Sequence, residues 1–333
     1  MAATRPRPQH AKRARKLKEA KVSKADTEWH ARLEKIADET GYHEPLGPDH
    51  EVLFHDDSPV LIVSFETRPQ IEADREEALP FGYKIARDEG WSALSVIASD
   101  ESWFRDPAIY AYFDRLVDEA FFEDFDRVVF YGAGPCGYAA AAFSVAAPGA
   151  TVIALAPQAT LDPTLAGWDD RFPQTRRMSF TDRYGFAPEM LDGAERAFVF
   201  YDPFERLDAM HAALFARPCV SLMPCRHIGP DPAAGLLDMD ILDEVLIAAG
   251  AGKLTPSLFW TFFRARRLSK RYVIRLVDHL RRARRPVLEA ILCRAVGTSQ
   301  NRPKFRNRYE ALAQKLAEQG IELPEPQERA GAA

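Results

Sequence analysis

A glycine-rich turn is the part of this sequence whose residue types and spacing suggest chemistry most directly. Residues 127–144 read RVVFYGAGPCGYAAAAFS, so an apolar run leads into Gly132, Gly134 and Gly137 and then into an alanine-rich stretch. Glycines at G-x-G-x-x-G spacing between a strand and a helix allow a backbone to approach a pyrophosphate closely. The same spacing fits a nucleophile elbow, G-x-S-x-G, with Gly134 at the nucleophile position.

One hypothesis is that the turn holds a nucleotide. A dinucleotide-binding turn needs an acidic residue at the end of the next strand, where the acid binds the ribose hydroxyls. The next apolar run is TVIALAP (151–157), and it is followed by Gln158, so this acid is missing. The turn also follows at least two earlier apolar runs, whereas the fingerprint usually opens its domain. A nucleotide-dependent enzyme is therefore the weaker interpretation, and no cofactor is expected.

One form of the nucleotide hypothesis is a phosphoadenosine phosphosulfate reductase. That family carries a reactive motif of the type E-C-G-[LI]-H near its C-terminus. In this chain Cys293 lies in AILCRAVG, which lacks the motif. The sequence therefore does not support this label.

A second hypothesis is acyl-transfer chemistry, which needs an acid and a base after the elbow in the order nucleophile, acid, histidine. The chain supplies both in that order, because Asp202 ends the apolar run AFVFYD and His227 directly follows the last run, CVSLMPC. A carboxylate that orients a histidine base is what a charge-relay pair requires. Asp208 is the alternative acid.

Cys136 is a candidate nucleophile within the turn itself. It lies near a predicted helix N-terminus, where a thiolate is stabilised, and His227 would serve as its base. Two residues past the apex of an elbow, however, a side chain turns toward the packing face of the helix. A buried structural cysteine is therefore the favoured interpretation.

Six apolar, β-branched runs predict the strands that position these residues. Near-continuous apolar strands that alternate with amphipathic stretches indicate a mostly parallel sheet covered by helices on both faces. We predict an α/β, doubly wound fold with a helical C-terminal extension from about residue 236. The predicted strands are PVLIVSFE (59–66), ALSVIAS (93–99), RVVFYG (127–132), TVIALAP (151–157), AFVFYD (197–202) and CVSLMPC (219–225).

On these residues the chain resembles α/β-hydrolase-like proteins related to accessory secretory-pathway and capsule-associated families. They carry an elbow close to G-S-S-M-G-G-Y-A-A, a run close to S-P-Q-x-T-L after the next strand, and a Y-D…D…H-A segment before the final histidine. The resemblance covers about 55–235 and implies an α/β-hydrolase-like fold with roles in glycan or cell-surface assembly. The matching positions are Gly132, 137–140, 156–161, 201–202, Asp208 and 211–212, and DESWF (100–104) is similar to an aromatic stretch of the group.

The chain departs from this group at the elbow. Gly134 stands at the nucleophile position, so no hydroxyl or thiol is offered there, and Pro135 and Cys136 replace Met-Gly. Acyl-enzyme chemistry needs the attacking atom. We therefore expect a nucleophile-less member of the fold that acts as a binding or accessory factor. The candidate elbow and oxyanion region consists of Gly132, Gly134, Pro135 and Gly137.

The alternative function is a working hydrolase or acyltransferase. It would use the His227–Asp202 pair together with Cys136 or a bound water in place of the missing nucleophile. Whether the chain is an enzyme is left open at this point, although an esterase or acyltransferase is favoured over an oxidoreductase.

A long segment between two predicted strands adds candidate pocket residues. It contains WDDRF (168–172) and is longer than a crossover helix needs, so it is predicted to cap the carboxyl edge of the sheet. Trp103, Trp168 and Arg171 are the candidate pocket side chains. The predicted units are a basic tail (1–24), an α/β-hydrolase-like domain (25–235) with the cap-like insertion (about 157–196), a basic helical extension (236–320) and a disordered tail (321–333).

Charge is strongly segregated along the chain. Residues 1–24 hold nine Lys/Arg and one Glu, and residues 255–310 hold fifteen Lys/Arg and three acids, so the net charge of −5 hides an acidic body between two basic segments. We expect the basic segments to pack on that body, with a protein or other anionic partner as the alternative. A small molecule or glycan-related compound is the expected ligand. Nucleic acid is not expected, because no RNA or DNA module signature is present.

The patterns of cysteine, histidine and hydropathy predict whether the protein has disulfides, metal sites or membrane spans, and in which compartment it lies. The four cysteines form no C-x-x-C pair, and the histidines show no metal-ligand spacing, so no disulfide or metal is expected. No apolar run reaches about 18 residues, the minimum for a spanning helix. The basic N-terminus lacks the apolar core of a secretory signal. We therefore expect a cytoplasmic protein.

Overall fold

An eight-stranded sheet forms the centre of the molecule. The structure is a computed structural model and describes residues 24–73 and 77–325, so the predictions for residues 1–23 and 326–333 lie outside the described residues. The strands are β1 (Gly41–Leu46), β2 (His50–His55), β3 (Val60–Thr67), β4 (Ser92–Ala98), β5 (Arg127–Ala133), β6 (Thr151–Leu155), β7 (Arg196–Tyr201) and β8 (Val220–Pro224).

The strand order across the sheet is β1-β2-β4-β3-β5-β6-β7-β8. Strands β3 to β8 run parallel to one another, whereas β2 pairs antiparallel with both β1 and β4. This mostly parallel sheet confirms the predicted α/β-hydrolase-like fold. The chain passes from β3 to β4 on one side and returns to β5 on the other. The carboxyl ends of β3 and β5 therefore flank the switch point where ligands bind in such sheets.

The sequence prediction misses the two N-terminal strands. β1 lies at the edge of the sheet and contains His43, Glu44 and Pro45, which are half-buried or exposed. An edge strand buries little of its surface and tolerates a proline, so it carries no apolar run that a sequence pattern could reveal.

Helices cover both faces because alternate side chains of the strands are apolar. In β5, Val128 and Phe130 face one layer, and Val129 and Tyr131 face the other. The helices up to β8 are α1 (Lys24–Thr40), α2 (Arg68–Ala73), α3 (Phe81–Glu89), α4 (Pro107–Asp118), α5 (Pro135–Phe143), α6 (Pro163–Ala166) and α7 (Arg206–Leu214).

The part of the chain after β8 is helical, as predicted. One of its helices, α9, packs on the sheet through Leu242, Val245 and Leu246, whereas the last two form a small core of their own. The helices are α8 (Pro232–Leu237), α9 (Leu242–Gly250), α10 (Pro256–Phe262), α11 (Lys270–Arg282), α12 (Pro286–Ser299) and α13 (Pro303–Glu318).

The segment predicted to be a cap contains little regular structure beyond α6 and short 3-10 turns. Its second half completes the core beside α5, where Phe180, Tyr184 and Leu191 are buried. Its first half, with Arg171 and Phe172, borders the cavity described below. The division of the chain into domains stays a prediction.

Candidate functional site

The turn after β5 has the backbone shape of a nucleophile elbow. Gly134 lies between β5 and α5 with φ 57° and ψ −124°, a conformation that side-chain-bearing residues adopt only under strain. Its N–H donates to the carbonyl of Leu155 at 2.7 Å, and its carbonyl accepts from the N–H of Tyr138 at 3.0 Å. Within the described chain, no atom lies within 4 Å of the position that a Cβ would occupy. The turn therefore leaves open space where a nucleophile side chain would project.

The two flanking glycines have a packing role. A Cβ on Gly132 would lie 2.2 Å from the carbonyl oxygen of Cys136, and a Cβ on Gly137 would lie 3.1 Å from the carbonyl oxygen of Gly132. The strand and the helix therefore approach closely because both positions lack a side chain. This contact explains the glycine spacing without a bound phosphate.

Pro135 removes a second element of acyl-transfer chemistry. The oxyanion hole of an α/β-hydrolase uses the backbone N–H of the residue after the nucleophile, and proline has none. Pro135 is the first residue of α5, a position that proline favours because that N–H has no partner within the helix. The turn thus lacks both the attacking atom and one of its two oxyanion donors.

A cavity of about 730 Å³ opens over this turn at the carboxyl ends of the parallel strands. Gly134 and Pro135 form part of its wall, and the end of the loop after β8 and the first turn of α8 contribute residues 230–234. Other residues that line the cavity include Glu66, Phe81, Glu101, Tyr131, Gln158, Arg171, Phe172 and Asp208.

Glu66, near the end of β3, joins the cavity to helix α3. Its carboxylate oxygens accept from the backbone N–H groups of Phe81 at 2.7 Å and Gly82 at 3.0 Å. Burial raises the pKa of the Glu66 carboxyl, and these two hydrogen bonds oppose the shift without cancelling it. The side chain therefore fixes the start of α3 against the cavity wall.

Gln158 contributes a buried polar group beside the same cavity. The side chain is 3% exposed, and its Nε2 donates to the carbonyl of Ala156 at 3.3 Å. Its Oε1 has no partner among the described residues. A buried amide oxygen without a donor is costly, so this atom favours a ligand or water that donates a hydrogen bond.

The structure gives Asp202 a backbone-binding role. Asp202 is buried, and its carboxylate accepts from the N–H of Phe204 at 3.0 Å and from the N–H of Gly229 at 2.8 Å. These bonds tie the loop after β8 to the end of β7. In the described chain no hydrogen bond joins Asp202 to His227, so its role as a triad acid stays a prediction.

His227 points toward the C-terminal helices. Its ring stacks on Phe204 at 4.6 Å and lies 4.7 Å from the ring of His279 in α11. Burial, followed by the neighbouring His279, lowers the pKa of the His227 imidazole. Residues 230–234, which follow His227 closely along the chain, line the cavity, but His227 does not. Its predicted role as a base stays a prediction, and its contacts favour a structural role.

A polar cluster, Asp169–Arg171–Asp208–His211, lies beside the cavity, and all of its side chains except that of Arg171 are buried. His211 Nε2 contacts Asp169 Oδ2 at 2.9 Å, and the N–H of Ala159 donates to His211 Nδ1 at 3.2 Å. Because Nδ1 accepts, Nε2 carries the proton and donates to Asp169. Arg171 bonds to both Asp169 and Asp208, the latter at 2.6 Å. The cluster anchors the predicted cap segment to α7.

The charges of this cluster depend on one another. Burial alone would raise the pKa of the Asp169 carboxyl, but hydrogen bonds from His211 and Arg171 outweigh burial and hold that pKa well below its usual range. The Asp169 and His211 side chains are 0% exposed. Asp208, the alternative triad acid, is therefore an ion-pair partner of Arg171 in this arrangement.

The two candidate pocket tryptophans do not line the cavity but pack against side chains near it. Trp103 is fully buried and its ring packs edge-on against Phe172 at 4.8 Å. Trp168 packs on the ring of His211 at 4.5 Å and donates its Nε1–H to the carbonyl of Leu165. Of the three candidate pocket residues, Arg171 lines the cavity directly.

The sequence prediction missed Glu66, Gln158 and Asp169 and gave His211 no role. His211 and Ala212 match the H-A pair of the segment Y-D…D…H-A that the resembling families carry. This match was the one indication in the sequence that His211 has a role. Nothing in the spacing of Asp169 and His211 indicates that they meet, because a strand and two loops separate them along the chain.

Cys136 is the second residue of α5, and its sulfur faces Gln70 of α2. Its side chain is buried, and its Sγ lies 3.6 Å from Gln70 Oε1. Burial, assisted by the Glu66 carboxylate, raises the pKa of the Cys136 thiol well above its usual range. A neutral, enclosed thiol is a poor nucleophile, so the contacts favour the structural interpretation.

Alkylation checks this interpretation. We expect iodoacetamide at neutral pH to modify Cys219, which is half-buried, well before Cys136, Cys225 or Cys293, which are buried. All four should react in denaturant. Peptide mass spectrometry over time measures the order, and fast modification of native Cys136 would contradict the structural role.

Comparison with known proteins finds solved structures that have a similar fold but low sequence identity. No protein-family model matches the sequence, and no curated protein gives a significant match. Solved structures with a similar fold include the Pyrobaculum calidifontis esterase (15% identity, 75% of this chain and 99% of that chain, TM-score 0.41) and an S-formylglutathione hydrolase from Agrobacterium tumefaciens (12% identity, 62% and 91%, TM-score 0.40). The capsule O-acetyltransferase of Neisseria meningitidis serogroup A is a third (12% identity, 59% and 91%, TM-score 0.36). Values this low carry no argument about reaction or ligand, and the fold assignment rests on the strand order.

Neither a metal-ion site nor a membrane-spanning helix is found among the described residues. Across residues 24–73 and 77–325, no group of three or more His, Cys, Asp or Glu side chains is placed to hold a metal ion. In the same part of the chain, no helix has both the length and the apolar character needed to cross a bilayer.

Proposed function

We propose that the protein is a non-catalytic member of the α/β-hydrolase fold that binds a small molecule in the cavity over the elbow. One observation carries the proposal: Gly134 and Pro135 keep the elbow conformation while removing the nucleophile and the adjacent oxyanion N–H. Without these two groups the acyl-enzyme step lacks its attacking atom and one of its two oxyanion donors.

The cavity lining supports a ligand that is rich in hydroxyl groups. Gln158 Oε1 is an acceptor without a partner among the described residues, and Glu101 and Asp231 add carboxylates to the wall. Phe81 and Tyr131 supply apolar surface beside them. A mostly apolar wall with a few placed acceptors is typical of small-ligand sites. The role in glycan or cell-surface assembly that the resemblance implies fits this chemistry and is part of the proposal.

We place the protein in the cytoplasm on the basis of its cysteines. All four are free thiols, and three of them, Cys136, Cys225 and Cys293, are buried. Unpaired buried thiols are typical of proteins from reducing compartments.

The catalytic part of the proposal is tested with Gly134→Ser. The hydroxyl would enter open space, yet we expect neither the wild type nor the variant to hydrolyse 4-nitrophenyl acetate above the buffer rate. The reason is that Pro135 offers no oxyanion N–H and His227 contacts Phe204 and His279 instead of the turn. Spectrophotometric release of 4-nitrophenol is the measurement.

A control makes this test discriminating. The His227→Ala variant is assayed in parallel, because turnover by the wild type that disappears in His227→Ala would establish the hydrolase alternative. Turnover that appears only in Gly134→Ser would show that the oxyanion site is intact and that the nucleophile alone is missing.

The binding part is tested by thermal shift with neutral monosaccharides, N-acetylglucosamine and glucuronate as probes. A ligand specific to the folded state must raise the melting temperature. We expect Ala233→Phe, which narrows the cavity, to abolish the shift. The matched control Ala295→Phe, at an exposed position of α12, should retain it. If no probe shifts the wild type, or if both variants retain the shift, the cavity is not the site for this class.

A further inference from the structure

The helical extension presents a basic surface, and none of the residues of that surface lines the elbow cavity. Helix α11 buries Val273 and Val277. Beside this buried stripe Lys270, Ile274 and Arg281 are exposed at steps of four and seven residues, which places them in one stripe. The turn into α12 continues this surface. We call it the basic face, and its cations are Lys270, Arg271, Arg281, Arg282, Arg284 and Arg285.

The acidic body does not neutralise the basic face. Among the described residues, the ion pairs of residues 255–310 connect Arg281 with Asp278 and Glu289, and Arg308 with Glu289, all within the extension. The expected packing of these charges on the acidic body is therefore not found in the described ion pairs. Arg275 does turn toward the body, where it packs against Gly229, but it is not part of the basic face.

The start of α11 concentrates positive charge further. Ser269 caps the helix by accepting from the N–H of Tyr272, and the first turn holds Lys270 and Arg271 without an acidic residue. Cations at a helix N-terminus add to the positive end of the helix dipole and are unfavourable there. Asp238, which accepts from the Ser269 hydroxyl at 2.6 Å, relieves part of that repulsion, and an external anion would relieve it further.

Exposed aliphatic side chains lie close to these cations along the sequence. Ile274 is 42% exposed on α11, Leu288 is 50% exposed in the first turn of α12, and Leu268 is 69% exposed just before α11. Cations mixed with aliphatic groups suit a phospholipid surface, where the cations meet headgroup phosphates and the aliphatic groups enter the acyl boundary. A nucleic-acid backbone offers phosphates but nothing for Ile274 or Leu288 to enter.

We propose that the basic face docks on membranes that contain anionic phospholipid, with Ile274 and Leu288 entering the headgroup region. Docking is peripheral, in keeping with the described helices, none of which is able to span a bilayer. Docking through this surface would hold the protein and its elbow cavity near a membrane. The residues that line the cavity would take no part in the binding.

Vesicle co-sedimentation of the full-length protein tests the proposal. We expect binding to mixed phosphatidylglycerol and phosphatidylcholine vesicles, little binding to phosphatidylcholine alone, and weakening with added salt. Arg284→Gln/Arg285→Gln should weaken binding about 25-fold, at about fivefold for each cation near the surface. The control Lys35→Gln/Lys253→Gln, which removes two exposed charges from the body, should leave binding unchanged.

The aliphatic residues separate a lipid surface from nucleic acid. Ile274→Ser/Leu288→Ser should weaken vesicle binding while the protein stays folded at the assay temperature, as thermal unfolding will show, because each side chain is about half exposed. Equal binding to both vesicle types, or no loss in the arginine variant, would overturn the proposal. So would tight binding to duplex RNA that depends on Arg284 and Arg285 but not on Ile274 and Leu288.

Discussion

Asp169→Ala is expected to lower the free energy of unfolding by about 3 kcal/mol. The change removes the carboxylate that accepts from His211 and binds Arg171, and it leaves the buried His211 Nε2–H without an acceptor. Breaking one partner of a buried charged network typically costs 3–5 kcal/mol, and Arg171 limits the loss because it keeps Asp208 as a partner. Urea-induced unfolding followed by circular dichroism measures the difference.

A surface pair provides the matched control for this prediction. Asp192 forms an ion pair with Arg217 at 2.9 Å, but the Asp192 side chain is 70% exposed. Asp192→Ala should therefore cost about 0–1 kcal/mol. If the two aspartate variants are destabilised equally, the buried cluster contributes no more than an exposed pair and the anchoring role assigned to it is wrong.

The same cluster sets a direction for the pH dependence of stability. The pKa of Asp169 is held below its usual range in the folded protein, so its contribution is fully present above the unfolded pKa of about 4. The contribution is lost as the pH falls toward the lower, folded pKa. The stability difference between the wild type and Asp169→Ala should accordingly shrink on acidification below about pH 4, and unfolding curves at several pH values measure it. A difference that grows in acid would contradict the assignment.

Gly132→Ala is expected to cost about 3 kcal/mol or to prevent folding, whereas Gly134→Ala in the same turn should cost about 1–2 kcal/mol. At Gly132 the new Cβ meets the backbone of Cys136 at 2.2 Å, so strand β5 and helix α5 must separate. At Gly134 the Cβ enters open space, and the cost is the strain of a positive φ. Thermal and chemical unfolding of both variants provide the comparison.

This pair of variants also tests how the elbow is built. A Gly134→Ala variant as unstable as Gly132→Ala would mean that the apex is enclosed and that no cavity lies over it. Equal stability of Gly132→Ala and the wild type would mean that β5 and α5 do not approach as closely as the Gly132–Cys136 contact requires.

The sheet and the elbow could be predicted because their causes are local. A fully buried parallel strand needs an unbroken apolar run, and the six runs correspond to β3 to β8 within about two residues at each end. The elbow glycines follow from the close contact of β5 and α5, which leaves a spacing signature. The edge strand β1 left none, because it has a neighbour on one side alone. β2 pairs on both sides and buries only the short run Val52–Phe54, which the sequence prediction did not count as a strand.

By itself, the sequence determined the fold, the order of elements around the elbow, and the absence of a nucleophile at Gly134. Each of these is a property of one residue or one run. The sequence prediction counted Pro135 in the oxyanion region, where a residue without an N–H cannot donate. Only the tertiary structure decided where distant side chains meet: Asp202 binds backbone N–H groups, His227 packs on α11, and Asp169 and His211 form the buried pair. The physical reason is that hydrogen-bond partners and desolvation depend on three-dimensional neighbours, and residue spacing along the chain does not encode which loops converge.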